Sequence, residues 1–415
     1  MITAKRPLAQ NAKIDSLKKM FLAAEKDTNK VIAGIRLQEA YQSENLDSAL
    51  HYANTAYGLA EKLGSLKHMC AAQTAIGYCH YLRSDYPLAL MYYRRSLEVS
   101  EKNKLKKQTG ITYNNMGIVF YMMSDYKRAL ECYQKNKQIK QELKDYGGLA
   151  SVTGNIGMVF NVLNDNEKAM EYYLQAYSFG KIMGNEKTMA SALNNIGTVF
   201  FEQEEYEKSL DYYLQALRLR EKLDDKTQLA NSFINIGGVY GALRQYEKAF
   251  EFHSKALQIY EQLQNRRGTA LSRINLGTVL YEKKKYASAE AFLKEALSIA
   301  VELKLTWLEK EAHDVLVKLY KDMKRPADAI VHIEAANRCK DSISLGEKRE
   351  EINRREMQVE FAKQQQVDSI RSAEKIRNEQ LRHEQEIQKQ TFYTYGGIAG
   401  FVLMLIIAVV SYRAY

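Results

Sequence analysis

Apolar residues in this chain recur three and four apart, the spacing of one face of an α-helix, and the whole pattern returns every 40 residues. One glycine marks the period: Gly77, Gly117, Gly157, Gly197, Gly237 and Gly277. Counted from it, offset +3 reads His80, Phe120, Phe160, Phe200, Tyr240 and Leu280. Offset +9 reads Tyr86, Tyr126, Asn166, Tyr206, Tyr246 and Tyr286. Offset +12 is small (Ala89, Ala129, Ala169, Ser209, Ala249, Ala289), and offset +16 is Tyr93, Tyr133, Tyr173, Tyr213, His253 and Leu293. Fainter copies at Ala49 and Ala329 extend the register to about eight units between residues 14 and 340.

One unit reads as a helix-turn-helix hairpin. The glycine lies mid-helix, where it costs roughly 1 kcal/mol relative to alanine, so six copies need a packing reason. Lacking a side chain, it lets the second helix approach closely, and the alanine at offset +12 is its expected small partner. Ser84-Asp85, Ser124-Asp125 and Asn164-Asp165 supply turn and cap residues, and Pro87 falls at the start of a second helix, where a missing N–H is harmless. A lone hairpin cannot bury both faces, so neighbours must stack.

These residues resemble the tetratricopeptide repeat in a 40-residue variant, over roughly residues 30–340. The resemblance implies an all-α, right-handed superhelical solenoid whose inner groove is lined by the first helix of each unit. The proline often found at the end of such a unit is absent here, and a longer inter-unit turn, as in residues 221–230, is expected in its place. On the inner helix, offsets −6, −2, +1 and +5 share one face. Offset −2 is Asn115, Asn155, Asn195, Asn235 and Asn275, five carboxamides that both donate and accept. Proteins of this type often clamp a peptide backbone there, although the same amides are also suited to tying adjacent hairpins together. Beside them Tyr78, Ile118 and Met158 at +1 and Met122 at +5 make the first half of the groove apolar. No lysine or arginine occupies these offsets in the six units, which disfavours a clamp for a terminal carboxylate. An internal segment or an apolar helix is the better-matched ligand.

The composition changes after residue 340. Residues 341–391 hold neither proline nor glycine beyond Gly346 and are rich in charge and glutamine, which predicts a helical connector. A stripe of Ile352, Val359, Gln366, Ala373, Gln380 and Ile387 fits either a weak coiled-coil seam of a homodimer or a solvated single helix. Residues 392–412 carry no charge. As a helix they would extend about 31 Å, enough to cross a hydrocarbon core of about 30 Å. Tyr393, Tyr395 and Tyr412 stand where interfacial aromatics belong. Residues 1–13 are expected to be disordered and 413–415 to form a short tail.

Repeats, charged helix and span in this order resemble the sensor half of bacterial membrane signalling proteins, which carry a histidine kinase or nucleotide cyclase after the span. In those proteins the repeats face the periplasm behind a signal peptide. The first residues here lack the apolar core of such a peptide, and the chain stops at Tyr415. The side of the membrane therefore stays open between periplasmic and cytoplasmic, as does a catalytic domain beyond Tyr415.

Charge and chemistry narrow the picture further. The net charge of +10 comes from 60 basic and 50 acidic residues dispersed along the chain, and no nucleic-acid-binding motif appears. Cys70, Cys79, Cys132 and Cys339 lack metal-ligand or disulfide spacing and read as small buried thiols. No phosphate-binding loop, metalloprotease motif or nucleophile elbow is present, and His80 and His253 stand where sibling units carry core residues. The expectation is a membrane-anchored protein- or peptide-binding module with no enzyme activity, cofactor or metal. A purely structural scaffold is the alternative.

Overall fold

A computed structural model describes residues 8–25, 27–42, 44–223 and 225–414. Among them are seventeen α-helices and no strand. Helix α1 (Leu8–Ala23) precedes eight hairpins. These pair α2 (Thr28–Tyr41) with α3 (Leu46–Lys62), α4 (Leu66–Leu82) with α5 (Tyr86–Lys102), α6 (Lys106–Met122) with α7 (Tyr126–Glu142), and α8 (Tyr146–Val162) with α9 (Asn166–Ile182). They continue as α10 (Glu186–Glu202) with α11 (Tyr206–Arg220), α12 (Lys226–Ala242) with α13 (Tyr246–Gln262), α14 (Arg266–Glu282) with α15 (Tyr286–Glu302), and α16 (Thr306–Asp322) with α17 (Pro326–Ala414). From Leu46 onward each helix begins 20 residues after the one before. The predicted solenoid is the fold.

The turns differ from expectation. Between Leu82 and Tyr86, within a hairpin, and between Lys102 and Lys106, between hairpins, the link is the same three residues long. The inter-unit turn is therefore not lengthened. The extra residues of the 40-residue unit lie in its helices, which run 17 residues each, and residues 226–230 of the supposed long turn are the first turn of α12. From α3 to α16 only α11 departs from this, stopping at Arg220.

The three-residue turns all solve the same backbone problem. The middle residue is left-handed whether it is Ser84 (φ 60°), Lys144 (φ 52°), Asn164 (φ 58°) or Gly184 (φ 62°). The next N–H then reaches back to the helix, as Asp85 N donates to the His80 carbonyl at 2.9 Å and Leu105 N to that of Ser100 at 2.8 Å, satisfying carbonyls the helix end leaves open. Asp125, Asp145 and Asn185 then cap the next helix by accepting from the backbone N–H of Arg128, Gly148 and Thr188 at 3.0, 2.8 and 3.0 Å. Pro87 lies in the first turn of α5, as predicted.

The periodic glycines touch something other than the alanine expected. A Cβ on Gly117 would lie 2.5 Å from the ring of Tyr133, on Gly157 2.7 Å from Tyr173, and on Gly197 2.8 Å from Tyr213. The group that fills the notch is thus the residue at offset +16. The offset +12 alanines are fully buried as well, but around Gly77 the Ala89 carbonyl oxygen is the more distant contact, at 3.1 Å against 2.6 Å for the ring of Tyr93.

Two ends complete the picture. Residues 8–13 of the segment predicted to be disordered are helical, in α1, whose Ile14 and Leu17 are buried with Leu37 and Tyr41 and close the first hairpin. Residues 1–7 and Tyr415 lie outside the described residues. The chain divides into two compact units, Met1–Ile352 and Asn353–Tyr415. No helix break occurs at residue 341, the predicted start of the connector. Among the described residues one stretch, Arg377–Ala408, is long and apolar enough to cross a membrane, and its apolar window is wholly exposed. The predicted span at 392–412 overlaps it.

Candidate peptide-binding groove

Even-numbered helices of successive hairpins touch one another directly, α2 with α4, α4 with α6 and α14 with α16, and among the described residues no two successive odd-numbered helices come as close. The side on which neighbours converge is the inner side of a curved stack, so the even-numbered helices line the groove. On them the glycine and its preceding apolar residue point away from the groove and are buried: Ile156, Ile196 and Ile236 are fully enclosed. The face at offsets −2, +1 and +5 stays open.

All five predicted asparagines, Asn115, Asn155, Asn195, Asn235 and Asn275, are half-buried on that face. Tyr78 and Ile118 are half-buried beside them, and Met122 and Met158 are exposed by 43% and 37%, together with Ile111 and Val162. Large apolar side chains this open on the neighbouring helices α6 and α8 make that stretch of the face apolar, which a lone surface methionine would not.

The amides are not equivalent. Asn155 donates through Nδ2 to Oδ1 of Asn114 at 3.3 Å, and Asn235 donates to Oδ1 of Asn194 at 3.1 Å. These are ties between neighbouring hairpins, the second role weighed for the row. Asn194 is further engaged by Arg220, whose Nη1 lies 3.1 Å from the same oxygen and 2.6 Å from Oγ of Ser232. Burial of that guanidinium pushes its pKa down, and these acceptors compensate its lost water. Asn115, Asn195 and Asn275 make no side-chain hydrogen bond among the described residues, so their donors and acceptors are open to a ligand. Sequence reasoning missed Asn114, Asn194 and Arg220 because only the stacking of hairpins brings offset −3 of one unit to offset −2 of the next.

Two cavities open on this face. One of about 600 Å³ lies between α1, α2, α4 and α6 and brings together Tyr78, Ile111 and Asn115 with Gln38 and Lys13. Another of about 510 Å³ lies between α12, α13 and α14 and contains Asn275, Thr278 and His253. The His253 ring is buried, its Nδ1 has no hydrogen-bond partner, and burial holds its pKa down at about 4, so the imidazole is neutral at neutral pH. All four cysteines are buried free thiols, as the sequence indicated.

A solenoid of two-helix units with an apolar, amide-lined inner groove is the architecture of a binding module. The tetratricopeptide repeat family model matches residues 108–181, 188–262 and 228–301. Among solved structures, the chain resembles a signal-transduction ATPase with a tetratricopeptide repeat sensor from Pyrococcus horikoshii, with a TM-score of 0.62 and 15% identity over 81% of this chain and 53% of that one. It also resembles the apo form of the quorum sensor NprR from B. thuringiensis, with a TM-score of 0.57 and 13% identity over 80% of this chain and 93% of that one. The apo form of RapI aligns with a TM-score of 0.51 and 15% identity, over 81% of this chain and 99% of that one. No curated protein matches the chain significantly. Over the matched residues the repeats fit the tetratricopeptide model, and the stacked two-helix solenoid agrees with it.

Proposed function

We propose that the inner groove binds a polypeptide and that the chain is the membrane-anchored sensing part of a signalling protein, with no catalytic role of its own. The observation that carries this reading is the open row of Asn115, Asn195 and Asn275 beside the exposed Met122, Met158 and Ile111. Amides without internal partners grip a backbone in either direction, each bond worth about 0.5–1.5 kcal/mol net, and the apolar strip selects side chains. The apolar stretch Arg377–Ala408 supplies the anchor. The Pyrococcus ATPase of similar fold carries a tetratricopeptide repeat sensor, and NprR, also similar in fold, is a quorum sensor. Histidine kinases and nucleotide cyclases with such sensor halves are the signalling classes this order of segments resembles. A purely structural scaffold would use the outer surface instead.

Changing Asn115, Asn195 and Asn275 together to alanine separates these readings. Partner capture by the full chain, identified by mass spectrometry, is expected to fall about tenfold or more with helix content unchanged. Undiminished capture would leave the groove idle and favour the scaffold.

A further inference from the structure

The fifth glycine-marked unit departs from its siblings in one direction only: it loses bulk on the groove side. Offset +1 is Tyr78, Ile118, Met158, Thr198 and Thr278 elsewhere and Gly238 here. Offset +4 is Tyr81, Tyr121, Asn161, Phe201 and Tyr281 elsewhere and Gly241 here. Offset +5 falls to Ala242, and offset +16, tyrosine in the first four units and Leu293 in the sixth, is His253 here. A Cβ placed on Gly238 or on Gly241 would meet nothing within 4 Å. Unlike Gly237, these glycines are not demanded by packing, and the space above them is the cavity of about 510 Å³.

The missing residue at offset +4 has a specific consequence. In four siblings it is an aromatic ring set against the tyrosine at offset +9: Tyr81 with Tyr86 at 6.2 Å between ring centres, Tyr121 with Tyr126 at 5.8 Å, Phe201 with Tyr206 at 5.6 Å, and Tyr281 with Tyr286 at 6.2 Å. The third unit dispenses with both rings, having Asn161 and Asn166. The fifth unit alone keeps the second ring, Tyr246, and lacks the first. Tyr246 lines the cavity and is fixed in place by its hydroxyl, which donates to Glu282 at 3.3 Å. Around the same space stand the His253 ring, packed over Gly237, and Asn275 with an uncommitted amide.

We propose that this cavity is an anchor pocket for one aromatic side chain with a polar tip, a tyrosine or tryptophan of the bound polypeptide. Its ring takes the place of the absent offset +4 ring against Tyr246, and its hydroxyl or N–H meets the polar groups at His253 and Asn275. Aromatic pairs of this kind contribute beyond simple burial, and buried rings with one polar handle are the side chains that dominate binding at protein interfaces. The proposal rests on the groove reading for its ligand, but the pocket itself is testable with small molecules.

The test is saturation-transfer NMR on the full chain in detergent with p-cresol and indole, and with isoamyl alcohol as the aliphatic control. Wild type is compared with Gly241→Tyr, which restores the sibling ring in open space, and with Gly238→Thr, which restores a sibling side chain at the pocket wall. Both variants are expected to keep the wild-type helix content and to bind p-cresol and indole about tenfold more weakly. Equal transfer in wild type and in a folded variant would overturn the proposal, as would equal binding of isoamyl alcohol. No p-cresol binding by wild type would do the same. A groove that captured no polypeptide would leave the small-molecule result untouched, so the two failures are distinguishable.

Discussion

Two glycines three residues apart in α8 carry opposite requirements. Gly157 lies under the buried ring of Tyr173, and a methyl group there would sit 2.7 Å from two ring carbons. Gly154 has nothing within 4 Å. Gly157→Ala is expected to destabilise the repeats by about 1–3 kcal/mol through overpacking, while Gly154→Ala gains up to about 1 kcal/mol of helix propensity. Urea midpoints moving in opposite directions would bear this out, and a shared direction would contradict it. His253 gives a second expectation at this scale. The unfolded ring takes up a proton as the pH falls through its ordinary 6.5, but the buried ring resists until about 4. Between those values the unfolded chain binds more protons, so stability falls as acid is added by about 3 kcal/mol in all, and no further contribution comes below pH 4. His253→Tyr, the sibling residue, should remove that part of the acid sensitivity. His68, His80, His313 and His332, also depressed by burial, remain in both proteins and cancel in the difference.

At the scale of the element, the helices resemble one another more than their caps do. Gln245 precedes α13 with φ −87° and ψ 66°, close to Asp125 before α7 at −90° and 72°, yet it makes no side-chain cap bond. Gln245→Asp supplies an acceptor for the open N–H groups of the first turn and a negative charge at the positive end of the helix. A gain of about 0.5–2 kcal/mol, read as a raised urea midpoint, is expected; no gain would mean the turn cannot take the aspartate rotamer. The helices themselves were legible from the apolar spacing and from Ser84-Asp85 type turns. The equal turns were not, because a left-handed Lys104 or Lys144 carries no signal in the sequence that distinguishes it from a helical lysine.

For the whole molecule, the array and the apolar stretch make separate claims. Stacked repeats gain stability from nearest neighbours, and the apolar window within Arg377–Ala408, in the second compact unit, is exposed throughout. Removing residues 392–415 is expected to release the chain from lipid vesicles in a flotation assay while leaving its helix content nearly intact. Flotation that survived the removal would count against the anchor.

Sequence alone determined the period, the helical class, the eight hairpins and the face on which the five asparagines lie, because each of these follows from local spacing along one helix. Only the tertiary structure decided which amides remain open. Asn155 and Asn235 are drawn to Asn114 and Asn194 by the approach of the next hairpin, while Asn115, Asn195 and Asn275 are left without internal partners. It also decided that the notch at each glycine receives the side chain sixteen residues on, and that Gly238, Gly241 and His253 enclose one cavity. Contacts between helices depend on how far apart and at what angle the hairpins stack, and no periodicity within a single strip of chain records that distance.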